Sequence, residues 1–261
     1  MHTRTDTDID AHTDTRTGTP LAGRTALVTG STDGIGAAIA RTLAARGAMV
    51  IVSGRSAERG RDVVDAIAAA GGRARFVRAD LADGAGVRAL AEAAGPVDIL
   101  VNNAAMLITP SPTADVAEEL IDGALAVNVK AAFLLTGLVA PGMAARGGGA
   151  IVNLGSVNGL RGAAHSALYS ATKATVHSLT ASWAAEYGPR GVRVNTVAPG
   201  PTVTDKTVLL MDHIQPVLDR TPAGRAGRAE EVAAAVAFLA GDDATHIHGA
   251  TLTVDGGLTA V

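Results

Sequence analysis

The chain has 261 residues, no cysteine, 48% hydrophobic side chains but only 2% aromatic ones, and a formal charge of −3. No disulfide, thiolate nucleophile or Cys-ligated metal is available, and no basic stripe of the kind that tracks phosphate backbones appears, which argues against nucleic acid as a partner. A core built from Ala, Val, Leu and Ile suits a sheet covered by Ala-rich helices, and the length accommodates one large α/β domain.

Residues 1–20, MHTRTDTDIDAHTDTRTGTP, offer almost no large apolar side chain to offset the entropy of ordering, and are read as a disordered tail. They lack the Arg-rich, acid-poor character of a transit peptide and the apolar core of a signal peptide. No run of about 18 apolar residues is recognised as a membrane span, so a soluble cytoplasmic protein without membrane partners is expected.

From Thr25 onward, β-branched runs alternate with Ala-rich stretches. Strands are predicted at 25–30, 48–54, 74–80, 97–104, 149–156, 192–200 and 250–257, and helices at about 34–46, 56–70, 84–94, 114–146, 166–188 and 228–240. Continuously apolar strands between helices predict a parallel sheet covered on both faces, hence a single doubly wound α/β domain over 21–261 with seven parallel strands. The segment 202–227, with Pro216, Pro222, Gly224 and Gly227, is the least regular part and suits a lid over a site at the strand ends.

The first strand runs into TGSTDGIG, which sets Gly30, Gly34 and Gly36 before a helix. Glycines there permit a tight turn and close approach of the backbone to a pyrophosphate seated on the helix N-terminus. A carboxylate about 20 residues further on would hold the ribose hydroxyls of NAD. Instead the second strand ends in Gly54 and Arg55. A guanidinium in place of an acid favours the 2′-phosphate of NADP(H), with NAD(H) still possible, while Asp33 inside the turn opposes it by repulsion.

The segments TGSTDGIG, Asp80, NNAA at 102–105, Asn128 in VNVK, Ser156 in NLGS, YSATK at 169–173, PGPTVT at 199–204 and VDGG at 254–257 together resemble the short-chain dehydrogenase/reductase family over 21–261, most nearly its 3-oxoacyl-(acyl-carrier-protein) reductase-like members. Ala105 departs from the glycine usual there. The resemblance implies an NADP(H)-dependent oxidoreductase that interconverts a secondary alcohol and a ketone. Its catalytic residues would be Asn128, Ser156, Tyr169 and Lys173. Cofactor contacts are implied for Gly30, Ser31, Gly34, Ile35, Gly36, Arg55, Asp80, Leu81, Asn102, Ala104, Tyr169, Lys173, Pro199, Gly200, Thr202 and Thr204. Asp80 reads equally well as the N-cap of the next helix, and Asn128 as an ordinary polar helix position.

Tyr169 and Lys173 lie four apart, on one helical face. A phenol titrates near ~10, and an adjacent ammonium is expected to draw that value down toward the working pH. In the family the lysine also reaches the nicotinamide ribose, Asn128 holds a proton-relay water, and Ser156 polarises the substrate carbonyl. A homotetramer or homodimer is implied, paired through 114–146 and 166–188. His246 and His248 alternate without a third ligand, so no metal is expected, and His165 is read as a partly exposed residue at a helix start. The substrate is a small molecule of unspecified identity. The rival reading is a dinucleotide-binding sensor or structural protein without turnover.

Overall fold

The structure, a computed structural model, describes residues 19–261 apart from Lys206, Leu209 and Leu210. The expected tail thus lies, up to residue 18, outside the described residues. The strands are β1 (Thr25–Val28), β2 (Met49–Gly54), β3 (Arg73–Arg78), β4 (Ile99–Asn102), β5 (Gly149–Leu154), β6 (Val192–Pro199), β7 (Thr202–Val203), β8 (Gly227–Arg228) and β9 (Thr251–Val254). The helices are α1 (Gly34–Ala45), α2 (Ala57–Ala69), α3 (Gly84–Ala94), α4 (Glu118–Leu125), α5 (Ala131–Ala145), α6 (Ala167–Tyr187), α7 (Met211–Leu218) and α8 (Ala229–Ala240).

Seven parallel strands form one sheet in the order β3-β2-β1-β4-β5-β6-β9. The strand order reverses between β1 and β4, the switch point at whose carboxyl edge ligands bind in open α/β sheets. Strands such as Val192–Pro199, buried at every position, read as unbroken apolar runs because helices cover both faces. One core layer packs α1 and α8 against the sheet through residues such as Ile39, Leu43, Val232 and Val236. The other packs α3, α5 and α6 through Leu90, Leu135, Met143 and Trp183. Ala and Gly dominate these helices, so they lie close on the sheet without aromatic fillers.

Three expectations change. The helix predicted over 114–146 begins at Glu118, and a π-helical turn at Ala126–Lys130 interrupts it. One extra residue in that turn rotates Asn128 inward, and single π-turns of this kind recur at functional sites. The run Glu118–Ala145 is also long and apolar enough to cross a membrane by length and composition, unlike the sequence reading; here it is a helix of the folded domain, with Ala131, Leu135 and Met143 buried against the sheet. The segment 202–227 is more regular than expected. It contains α7, with Pro216 inside it, and a short parallel ladder pairs Thr202 with Gly227 and Val203 with Arg228.

Candidate active site

The glycine turn follows β1 and is defined by what it excludes. Gly30 has φ 61°, and a Cβ there would lie 2.8 Å from the Cα of Ala104. A Cβ on Gly36 would lie 2.2 Å from the carbonyl oxygen of Gly30 and 2.5 Å from the Nδ2 of Asn103. Asn103 closes the crossing: its Nδ2 donates to the carbonyls of Thr29 (2.8 Å) and Gly30 (3.0 Å), and its backbone N–H donates to the Thr29 hydroxyl at 3.0 Å. Thr29 and Asn103 carry this turn; Thr29 went unremarked in the sequence, whereas the two consecutive Asn at the strand end read equally well as turn formers. Ile35 opens α1, partly buried against the core. Ser31, expected beside the cofactor, is fully buried, and its hydroxyl donates to the Val28 carbonyl and accepts from the Ser53 N–H. Its side chain therefore braces the turn.

A Cβ on Gly54 would meet the Cγ2 of Thr32 at 2.7 Å. Gly54 offers no carboxylate to hold an unphosphorylated ribose, and a side chain there would require Thr32 to shift. Arg55 follows, exposed, and its carbonyl accepts from the Arg78 side chain. Asp33 is engaged by Arg59 at 2.9 Å, which neutralises the repulsion expected from that carboxylate. These features fit a dinucleotide with a 2′-phosphate.

Asp80 is exposed and its Oδ1 accepts from the Ala82 N–H; the N-cap of α3 is Asp83, which accepts from Gly86 at 2.7 Å. The helix-cap alternative for Asp80 is therefore set aside. Leu81, Asn102 and Ala104 line one small cavity with Thr29. The Asn102 amide itself is spent inward, donating to Asn153 (2.8 Å) and Thr136 (3.2 Å), while Asn153 donates to Thr180 at 2.7 Å. Ala105 is exposed, so its extra methyl group meets no crowding from the core.

Asn128 is buried and holds the chain beyond β4: its Oδ1 accepts from the Met106 N–H at 2.6 Å, and its Nδ2 donates to the Met106 carbonyl and the Thr172 hydroxyl, both at 3.3 Å. Thr172 is the immediate neighbour of Lys173, so the π-turn is linked to the helix that bears the catalytic candidates.

Ser156 follows β5 and Tyr169 and Lys173 lie on the first turns of α6, while the Ser156 hydroxyl accepts from the Asn158 N–H at 3.2 Å. The Lys173 ammonium donates to the Leu154 carbonyl at 2.7 Å and lies 5.7 Å from the centroid of the Tyr169 ring. Burial draws the Lys173 pKa down to about 8. The expected lowering of Tyr169 by the ammonium is not what governs it: burial raises the phenol, and the Ser156 hydroxyl opposes that rise. The ammonium is turned to the Leu154 carbonyl at the end of β5, and desolvation is the larger influence on the phenol.

One more residue belongs here. The ring of His177, a helical turn beyond Lys173, has Nε2 at 3.2 Å from the Ser156 carbonyl oxygen and Nδ1 at 3.2 Å from the Thr251 hydroxyl. A Cβ on Gly155 would lie 2.5 Å from that Nε2 and one on Gly159 2.9 Å from Cδ2, so two glycines make room for the imidazole. Burial lowers its pKa. The i+4 spacing from Lys173 was visible in the sequence, but its target on another element was not.

Beyond β6, Gly200 donates to the Val254 carbonyl at 3.1 Å, which locks the turn after Pro199 onto β9. The Thr202 hydroxyl donates to the Gly200 carbonyl, whereas Thr204 shares bonds with Thr207. The Thr204 methyl group would lie 3.4 Å from a Cβ on Gly34, so the two loops meet. His165 is exposed with φ 61°, an uncommon conformation for a residue with a side chain, and its carbonyl accepts from the Ser111 N–H. His246 and His248 are exposed, and no cluster of metal-ligating side chains occurs among the described residues.

This arrangement matches known proteins along nearly the whole chain. The profile of a family described as enoyl-(acyl carrier protein) reductase matches residues 30–259. A solved short-chain dehydrogenase/reductase family protein is 45% identical with a TM-score of 0.87, covering 93% of this chain and 100% of that one. The chain belongs to the short-chain dehydrogenase/reductase family of NAD(P)-dependent oxidoreductases. Among relatives, the chain is 43% identical to cis-4-hydroxycyclohexanecarboxylate dehydrogenase of Sinomonas cyclohexanicum, over 94% of this chain and 100% of that protein. It is 42% identical to the 3-oxoacyl-[acyl-carrier-protein] reductase of Vibrio cholerae, over 91% and 98%. A putative NAD(P)-dependent gluconate 5-dehydrogenase from Beutenbergia cavernae, solved with bound NADP, superimposes with a TM-score of 0.88 at 41% identity, over 92% and 98%.

Proposed function

We propose that the protein is an NADP(H)-linked oxidoreductase that interconverts a secondary alcohol and a ketone, with Tyr169 as its general acid and base. The observation that carries this reading is the convergence of Ser156, Tyr169 and Lys173 on the carboxyl edge of the sheet, beside a glycine turn that admits no side chain. Gly30–Gly36, Asp80, Ala104 and the Pro199–Thr204 turn would hold a nicotinamide dinucleotide, which when bound would supply or accept the hydride. Burial keeps the phenol protonated, so in reduction Tyr169 gives its proton to the substrate oxygen while the Ser156 hydroxyl donates a hydrogen bond to that oxygen. The Lys173 ammonium stabilises the negative charge left on Tyr169, and Asn128 holds the Met106 backbone and Thr172 around it. Arg55, with Gly54 in place of an acid, supports NADP(H), in keeping with the NADP bound in the Beutenbergia cavernae neighbour.

Oxidation of NADPH with a panel of ketones, compared between wild type and Tyr169→Phe, tests the reading. Loss of the acid should cut turnover by about 10²–10⁴-fold while NADPH still binds. Equal turnover by the variant, or none by either protein across the panel, would sink it.

A homotetramer in the cytoplasm is part of the proposal. Phe133 and Leu138 on α5 are half exposed, and Phe133 packs at 5.9 Å against Trp183 of α6. An apolar face of that kind supports subunit pairing.

A further inference from the structure

The glycine turn and the start of α2 are joined by a pair of opposite charges, and each member works against the helix that carries it. Asp33 is the N-cap of α1, a place where an aspartate ordinarily accepts from the N–H groups of the first turn. Its side chain makes no such bond; Oδ2 instead meets a guanidinium nitrogen of Arg59 at 2.9 Å. Arg59 lies in the first turn of α2, where the helix dipole disfavours a cation, and the Ser56 hydroxyl already accepts from its backbone N–H. With the Arg59 side chain 54% exposed, the pair is a surface one and adds little to stability. Residues that break a local rule without a gain in stability are expected at functional sites.

The pair stands beside the end of β2, where the acid that holds the free ribose hydroxyls of NAD sits in sheets of this kind. Asp33 lies between Thr32 and Gly34 of the turn, and Thr32 is packed on Gly54, with its Cγ2 2.7 Å and its Oγ1 3.0 Å from the place of a Cβ there. Arg55 follows Gly54, Ser56 caps α2, and Arg59 reaches back across to the turn. The chain thus lacks an acid at the end of β2 but carries one in the loop that packs on it. A carboxylate there would repel a 2′-phosphate and could itself accept from ribose hydroxyls. A guanidinium at 2.9 Å offsets its charge and occupies one of its oxygens.

We propose that the Asp33–Arg59 pair sets the cofactor selectivity of this protein. Arg59 withholds Asp33 from the ribose, so that an acidic glycine turn admits the 2′-phosphate of NADP(H). Without Arg59, Asp33 becomes a carboxylate that repels the phosphate and accepts from the ribose hydroxyls of NAD(H). Arg59 is therefore a specificity-determining residue that acts through Asp33, unlike Arg55, whose guanidinium is the one expected at the phosphate itself. The proposal rests on the NADP(H) reading and adds the residue that reconciles Asp33 with it.

Fluorescence titration of NADPH and NADH into wild type, Arg59→Ala, Asp33→Asn and the double variant tests it without requiring turnover. In Arg59→Ala the ratio of NADPH to NADH affinity should fall about 10-fold, the scale of a charged hydrogen bond. Asp33→Asn should leave the ratio at or above its wild-type value. The double variant should recover most of what Arg59→Ala loses, because no carboxylate remains to be withheld. A ratio that stays low in the double variant would place Arg59 on the phosphate directly and overturn the inference. So would a ratio unchanged in Arg59→Ala, a loss shared equally by both dinucleotides, or a fall in Asp33→Asn. Should wild type favour NADH, the NADP(H) reading fails separately. The four proteins then still decide the pair, since they report how the ratio changes and not which dinucleotide leads.

Discussion

Between Val28 and Gly36 the chain makes its site by leaving side chains out, whereas between Leu154 and His177 it makes one by crowding them in. In the first region a Cβ at Gly30 or Gly36 would strike backbone, and the closing contacts run from Asn103 to main-chain carbonyls. In the second, Ser156, Tyr169, Lys173 and His177 are gathered from the end of β5 and from α6, with Lys173 bonded to the Leu154 carbonyl and His177 near the Ser156 carbonyl. A turn proposed to receive groups common to every dinucleotide needs only backbone amides. The second region must hold particular atoms to a reacting carbon, and its side chains owe their altered acidity to burial.

The contrast is broken most severely at Lys173. Lys173→Met should lower ketone reduction by about 10²-fold or more, and the pH profile of kcat/KM should change shape. With the ammonium titrating at about 8 in the free protein, the charged form prevails below that pH, so wild-type activity should fall as pH rises through it. A variant that keeps that limb would assign it to another group.

At the glycine turn, Gly36→Ala should cost about 1–3 kcal/mol of stability by overpacking and weaken NADPH and NADH together, because the added methyl separates Gly30 from Asn103. Thermal melting and dinucleotide titration read this; unchanged affinity would mean that the turn is softer than its contacts indicate. Arg55→Ala should be selective instead. It should weaken NADPH about 10-fold or more, the scale of a charged hydrogen bond, and leave NADH nearly untouched; equal losses would remove Arg55 from the 2′-phosphate.

The smallest effect is expected at His177, which acts on Ser156 through its backbone. His177→Ala should lower kcat several-fold at little change in KM, and His177→Gln, which retains a donor near the Ser156 carbonyl, should recover part of it. A rise in KM alone would place the residue in substrate binding.

Much of the fold was legible because parallel strands covered on both faces have few alternatives to apolar β-branched runs, and α3 was placed at 84–94 as observed. The glycines and the Tyr169–Lys173 spacing were legible for the same local reason, since turn geometry and helical periodicity are properties of short segments. The π-turn at Asn128 was not, because its sequence continues a good helix and only contacts to Met106 and Thr172 favour the extra residue. Nor was α7, where Pro216 suggested a break.

What the sequence by itself determined was therefore local: strand and helix order, the glycine turn, the absence of an acid after β2, and the family motifs. Tertiary structure alone decided that burial raises Tyr169 while Lys173 faces Leu154, that the Ser31 hydroxyl is spent on Val28 and Ser53, and that His177 reaches the Ser156 carbonyl. Each of these depends on which distant segments meet and how much water is excluded between them, and no window of sequence contains that information.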